Sequence, residues 1–437
     1  MEVWALVMFA VAILLFMLGY PVAFTLGAVS MLFGGIFLGL DFFNLLPLRI
    51  WGIMTNFTLL AVPLFVFMGI LLEKSGIAEE LLETMGALFG GLRGGMAISI
   101  IIVGTLLAAT TGVVGATVVT MTVIALPALL KNGYQPELAS GTIAAAGTLG
   151  QIIPPSIVLI LLGDVMGVPV GQLFMSAVVP GLILVLCFIL YIVFLGRWRP
   201  AELPDRSIES QNISIARALK GMMPPLILVI AVLGSIFFGV ATPTESAALG
   251  AVGALLLAFV KRRLSLDMIK QATTHTTRLT SMVFMILIGA TAFGLVFRGL
   301  GGDYLVENLL TQLPGGVNAF IALSMLMIFV LGFFLDFLEI CFIVVPILAP
   351  IAELLGINML WYGVLIAMNL QTSFLTPPFG FSLFYLKAAA TVPIRIGQIY
   401  KGVMPFVILQ IFTLALLFIF PDLVLWLPDL MDRVQAP

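Results

Sequence analysis

The 437-residue chain is 62% hydrophobic and only 9% charged, with a formal net charge of −2 and a mean hydropathy of +1.24. A soluble domain carries about 25% charged residues, so this balance excludes a soluble globular protein and predicts an all-α polytopic protein of the lipid bilayer. No basic tail invites nucleic acid, and the two cysteines, Cys187 and Cys341, lie in apolar runs that suit neither a disulfide framework nor a metal cluster.

The chain opens on "MEVWALVMFA", whose apolar run has no basic leader. The expectation is a retained first span anchored by Trp4, not a cleaved signal. With about 20 apolar residues needed per crossing, spans are predicted at 4–20, 22–40, 57–73, 136–164, 172–196, 219–240, 243–260, 277–298, 358–390 and 401–427. Residues 77–88 and 304–313 pattern as amphipathic helices lying along the interface. Two apolar stretches, 95–130 and 316–352, are too long for one helix. They break at "ATTGVVG" (Ala109 to Gly115) and "LGFFLDF" (Leu331 to Phe337), and each is either two spans or one re-entrant hairpin. The segments 136–164 and 358–390 are long because each contains consecutive prolines, in "GTLGQIIPPS" and "NLQTSFLTPPFG".

Charge assigns the sides. The polar stretch holding Arg197, Arg199, Arg206, Arg217 and Lys220, and the "KRRLSLDMIK" stretch, face the cytoplasm by the positive-inside rule. With both hairpins re-entrant, Lys74, Arg93, Lys131, Lys387, Arg395 and Lys401 fall inside too, and the acidic tail with Asp422, Asp429 and Asp432 falls outside. Arg49 and Arg298 are exceptions. Glu245 follows Pro243 at a helix start, where a carboxylate caps. His275 lies in the basic interfacial stretch and reads as solvated, and Arg298 as a snorkelling end residue.

Landmarks recur. Pro154-Pro155 and Pro377-Pro378 are 223 residues apart, as are Pro127 and Pro350; Pro169 and Pro393, Pro180 and Pro405, and Gly171-Gln172 and Gly397-Gln398 follow at 224 to 226. Five spans per half make the copies inverted. The predicted organisation is a first repeat at 1–200, a cytoplasmic connector at 201–218 and a second repeat at 219–437.

Inverted repeats with helices interrupted at matching positions point to a secondary transporter with its site near the midplane. A break exposes carbonyl oxygens at one helix end and N–H groups at the next start. The carbonyls suit Na⁺, and the N-termini attract an anion. In the first half Gly147 and Gly150 let carbonyls turn inward, beside Thr148, Gln151 and Ile152, while Pro154 and Pro155 keep the helix open. In the second, Thr372, Ser373 and Thr376 offer hydroxyls, Asn369 and Gln371 amides, and Pro377 and Pro378 hold the break, next to Leu375. The facing tips carry Thr110, Thr111 and Gly112 in one hairpin, and Gly332, Asp336 and Glu339 in the other. The two carboxylates either bind an ion or hydrogen-bond a neighbouring helix end. No nucleotide-binding loop, metal-ligand cluster or nucleophile motif occurs, which argues against ATP-driven transport and enzymatic catalysis.

"GTLGQIIPPS", "TPTESAALGA", "FLDFLEI" and "NLQTSFLTPPFG" together resemble the large membrane subunit of tripartite ATP-independent periplasmic (TRAP) transporters, over essentially the whole chain. The resemblance implies an elevator-type Na⁺-coupled importer of the bacterial inner membrane, with no cofactor beyond the coupling ion. It implies two partners: a small four-helix membrane subunit, separate from this chain, and a periplasmic binding protein delivering a small organic anion, typically a carboxylate. Backbone Na⁺ ligands would fall at Gly147, Gly150 and Ile152 with the first tip, and at Gly332, Asn369, Thr372 and Leu375. The first tip lacks the serine-rich form of sialic-acid members, which argues against that substrate. A stand-alone Na⁺/dicarboxylate-type carrier, needing no binding protein, is the alternative.

Overall fold

The computed structural model describes residues 1–89, 91–112, 114–199, 203, 215–312 and 314–435. Most of the expected connector, 201–218, lies outside them. The described residues form helices without a strand. In the first half these are α1 (Glu2–Met17), α2 (Val22–Phe37), α3 (Leu46–Met54), α4 (Ala61–Lys74), α5 (Ile77–Phe89), α6 (Gly95–Thr111), α7 (Val114–Lys131), α8 (Pro136–Thr148), α9 (Ile157–Met166) and α10 (Val170–Trp198). The second half continues with α11 (Ile215–Phe237), α12 (Pro243–Val260), α13 (Leu266–Gly299), α14 (Gly302–Thr311), α15 (Gly316–Leu331), α16 (Phe337–Glu339), α17 (Val345–Leu354), α18 (Met359–Leu375), α19 (Phe381–Ala389), α20 (Ile396–Ile419) and α21 (Asp422–Gln435).

Among the described residues, six helices are long and apolar enough to cross a membrane alone, or seven if a bent pair counts as one span. Shorter apolar helices, α1, α2, α6, α9, α15 and α18 among them, complete the bundle. Both hairpins exist, as α6–α7 and α15–α17. Their turns are buried in protein, with Thr110 2% and Leu335 1% exposed. Irregular backbone at membrane depth needs that cover, although the return arms Val114–Lys131 and Phe337–Leu354 are themselves among the six helices long enough to cross. The two amphipathic segments expected along the interface are helical, as α5 and α14. Thr242 and Glu245 form a reciprocal capping box at the start of α12, which satisfies two donors the helix leaves open.

Some boundaries differ from expectation. The predicted span 401–427 is two helices, because Pro421 cannot continue α20 and drives Phe420 out of the helical region (φ −122°, ψ 78°). The span predicted at 277–298 begins at Leu266 and runs 34 residues, with the Ser265 hydroxyl accepting from Met268 N at 3.1 Å. Hydropathy saw only its apolar part. The span predicted at 57–73 is preceded by α3, and the two segments bend by 54° around Asn56. The return arm of the second hairpin is not one helix: α16 passes through a π turn at Ile340–Val344 into α17, just before Pro346, which lacks a donor for the regular ladder.

Tight crossings lock the halves together. α20 lies along α8, where a Cβ at Gly141 would sit 2.0 Å from the Gly402 carbonyl oxygen and one at Gly402 1.9 Å from that of Glu137. Only paired glycines allow this approach, the usual device where lipid supplies no hydrophobic drive between helices. α13 packs along α2 and α4, and α12 along α4.

Candidate substrate and ion site

The prolines set the local chemistry. In a continuous helix the Gly150 and Gln151 carbonyls would accept from residues 154 and 155, which as prolines have no N–H. Helix α8 therefore tightens into a 3₁₀ turn at Leu149–Gln151 and stops. The Gln151 oxygen is recovered by the Ser156 hydroxyl, which donates at 2.8 Å. The second break uses the same device. Pro378 leaves the Phe374 carbonyl without a helical donor, and the Ser382 hydroxyl supplies one at 2.7 Å. Gln151 and Phe374 are again 223 residues apart. Both Pro-Pro bonds are cis. Sequence reading missed both serines, although each follows its Pro-Pro within a few residues.

Each tip meets its own break. Gly112 closes α6 with φ +60°, a region that favours glycine. A Cβ there would lie 3.3 Å from Ile157 N and 3.5 Å from the Pro155 carbonyl oxygen. In the second half Gly332 has φ −66°, so its expected flexibility is not what is used. Closeness demands the glycine: a Cβ would fall 2.2 Å from Ser373 Oγ.

Several predicted side chains have structural partners. Thr110 Oγ1 and Thr111 Oγ1 donate to the Leu107 carbonyl at 2.9 and 3.0 Å, and Thr111 meets Thr117 Oγ1 at 2.7 Å. The first-tip hydroxyls thus brace their own hairpin. Asn369 Nδ2 donates to Met325 O at 2.6 Å, tying α18 to α15. Thr376 Oγ1 donates to Thr372 O at 2.7 Å. Gly147 packs on Val118 of α7, whereas Gly150 faces the Ala108 backbone with no close contact. Asp336 and Glu339 form a capping box at the start of α16: Asp336 Oδ1 accepts from Phe337 N at 2.7 Å, and Glu339 Oε2 accepts from Asp336 N. The sequence left open a hydrogen bond to a neighbouring helix end; the end these carboxylates bond is that of their own helix.

The broken helices touch each other. Gln371 Nε2 donates to Thr148 Oγ1 at 3.5 Å across a separation of 223 residues, the spacing that also relates the two Pro-Pro pairs. Gln410 of α20, not anticipated from sequence, donates to the same oxygen at 3.4 Å. Thr148, Gln151, Gln371 and Gln410 are all 0% exposed. The carboxamide oxygens of the three glutamines have no partner among the described residues. A lone amide in an apolar span is costly, a signal by which Gln410 was legible.

A cavity of about 100 Å³ lies where the parts converge. The first hairpin contributes Val114 and Gly115, the second Asp336 to Leu338, and the breaks Ile157 and Phe374. Tyr385 of α19 closes it, while Val62 and Val66 of α4 and Leu279, Met282 and Val283 of α13 form the opposite wall. These helix residues were also missed, because nothing local marks an apolar wall as facing a site. Asp336 is thus both a cap and a cavity-lining carboxylate.

A polytopic helical membrane protein with two buried hairpins, two interrupted helices and a cavity among them has the build of a membrane permease. The sequence matches the family described as tripartite ATP-independent periplasmic transporter, DctM component, over residues 9–423, and the chain belongs to that family. It is 31% identical over 387 residues to the C4-dicarboxylate TRAP transporter large permease protein DctM of Pseudomonas aeruginosa, covering 88% of this chain and 89% of that one. It is 30% identical over 415 residues to the sialic acid TRAP transporter large permease protein SiaM of Vibrio cholerae (94% and 95% covered). In fold it is similar to the YdaH transporter of Alcanivorax borkumensis, with a TM-score of 0.64, 15% identity and 96% and 98% of the chains covered. The protein is a multi-pass permease of the inner membrane.

Proposed function

We propose that this permease imports a small organic carboxylate by Na⁺ symport, together with a small four-helix membrane subunit and a periplasmic binding protein. The observation that carries the reading is the pairing of each hairpin tip with a break whose carbonyls the prolines have left without helical donors. Neutral oxygens suit Na⁺, a hard cation, better than they suit a proton carrier. The ion ligands fall among the backbone carbonyls of Gly147, Gly150 and Ile152 with the first tip, and of Gly332, Asn369, Thr372 and Leu375. The buried Gln151, Gln371 and Gln410 oxygens provide a neutral reserve between them. The starts of α9 and α19 direct helix N-termini toward an anion, and the C4-dicarboxylate relative makes succinate the first substrate to try.

Inverted repeats at 1–200 and 219–437 account for the contact between Thr148 and Gln371, since positions on a pseudo-two-fold axis face their own equivalents. In an elevator cycle α4 and α13 serve as the wall along which the hairpins and broken helices travel. Co-reconstitution with both partners tests the proposal: succinate uptake driven by an inward Na⁺ gradient is expected. Equal uptake from a proton gradient without Na⁺ refutes Na⁺ coupling, and full uptake by this chain alone favours the stand-alone carrier. Cysteines introduced at Ser210 and Gln435 should label from opposite faces; labelling from one face breaks the inverted topology.

A further inference from the structure

Where α4 meets the first hairpin and the first broken helix, the lining is apolar, with Val62 and Val66 on one side and Val114 and Ile157 on the other. Apolar attraction has no direction, so it does little to fix how far along α4 those elements sit. Directional groups can, and the α4 segment has one at each end. Asn56, at the bend before α4, donates from Nδ2 to Asp164 Oδ1 at 2.6 Å. Asp164 lies in the last turn of α9, the helix that follows the first break. At the other end, Thr120 Oγ1 of α7 donates to Glu73 Oε1, in the last turn of α4, at 2.6 Å.

Both bonds end on a carboxylate, the acceptor that makes a hydrogen bond short and about twice as strong as a neutral one. Neither carboxylate pairs with a lysine or arginine among the described residues, so the amide and the hydroxyl are what hold them. The donors are themselves anchored. Asn56 Oδ1 accepts from Thr58 N at 2.9 Å, which aims the amide nitrogen at Asp164. Thr244 Oγ1 donates to Phe57 O at 2.9 Å and ties the same corner to α12. Past Asp164 the packing opens into a gap of about 470 Å³, with Thr58 and Pro243 on one side and Gly167 and Pro169 on the other. The Asn56–Asp164 bond thus bridges the edge of a gap. One turn before Glu73, Gly69 lets the first tip rest on α4: a Cβ there would lie 2.5 Å from Thr111 Cα. Between α13 and the second hairpin no hydrogen bond occurs among the described residues.

We infer that Asp164 and Glu73 are positioning residues of the transport step, two latches that hold the first hairpin and broken helix in one register on α4 and release when they travel. This rests on the reading of α4 and α13 as a fixed wall. The full chain, with Cys187→Ala and Cys341→Ala, carries spin labels on cysteines at Gln135, which begins the travelling α8, and at Leu266, which begins α13. Both positions are exposed. Label-to-label distances are measured by pulsed electron paramagnetic resonance in nanodiscs with the small subunit, at mildly alkaline pH, without ligands and with Na⁺ and succinate. The register seen here should give the dominant distance without ligands. Thr120→Val and Asn56→Asp should each raise the share of a second distance roughly 3- to 10-fold. Asn56→Asp keeps the acceptor for Thr58 N but sets a carboxylate against Asp164, and the swapped pair N56D/D164N should return the wild-type distribution. A second distance that Na⁺ and succinate populate, but whose share neither variant moves, overturns the latches and leaves the wall standing. A rise with N56D that the swap does not reverse assigns the effect to the local turn and overturns the Asp164 latch. One unchanging distance in every variant and condition refutes the wall itself, and the latches with it.

Discussion

The two breaks share one chemistry and differ in setting. In both, a second proline leaves a carbonyl without a helical donor and a serine hydroxyl takes its place. In the first, the prolines are buried under the Gly112 tip. In the second, Pro378 and Phe379 are exposed, and the Tyr400 hydroxyl donates to the Pro378 carbonyl at 2.8 Å. The glycines opposite them differ too: Gly112 is needed for its backbone conformation, Gly332 for the room it leaves to Ser373. Both breaks meet the same electronic need with the same group, a serine hydroxyl, while the two pairs of prolines are packed differently.

The sharpest way to break the likeness is to heal the helices. Ala exceeds Pro in helix propensity by about 3 kcal/mol per residue, so Ala-Ala at 154–155 or at 377–378 should favour a continuous helix and draw the carbonyls that lost their helical donors, including those now held by Ser156 and Ser382, into i to i−4 bonds. Each double variant is expected to fold yet lose Na⁺-dependent thermal stabilisation and uptake. If one variant keeps both, that break is a structural kink and the equivalence of the halves fails.

A smaller effect separates the tips. Gly332→Ala should cost about 1–3 kcal/mol by overpacking, read as a lowered unfolding midpoint in detergent, and Ser373→Gly should restore most of it by removing the clashing hydroxymethyl group. Gly112→Ala should cost about 1–2 kcal/mol from its left-handed backbone. Trimming a neighbour should not rescue it, and a rescue by Ile157→Ala would show that space governs the first tip as well.

The smallest and most even effect belongs to the serines. Ser156→Ala and Ser382→Ala each leave a buried carbonyl without its donor, at about 1–3 kcal/mol. Because both serines are 0% exposed, the two unfolding shifts should match within error. A clearly larger loss at Ser156 would show that water reaches the Phe374 carbonyl through the open second break.

What the sequence settled by itself follows from properties a residue carries everywhere. Proline lacks a donor in any context, so both breaks were legible, as were the hairpins, the interfacial helices and the Glu245 cap. Pro421 and Ser265 obey equally local rules, yet the apolar runs around them masked the end of α20 and the start of α13. Whether the 95–130 and 316–352 segments cross or re-enter was undecidable locally, because both arrangements bury the same apolar residues; what only the tertiary structure supplied is the packing of each tip against its break. The meeting of Thr148, Gln371 and Gln410 was likewise beyond sequence, as was the demand that residue 332 lack a side chain. Such contacts depend on how entire helices cross, a sum over many small apolar contacts in which no single residue announces its partner. For the same reason Asp336 and Glu339 stayed ambiguous between ligand and cap until the turn before α16 put each carboxylate beside a backbone donor.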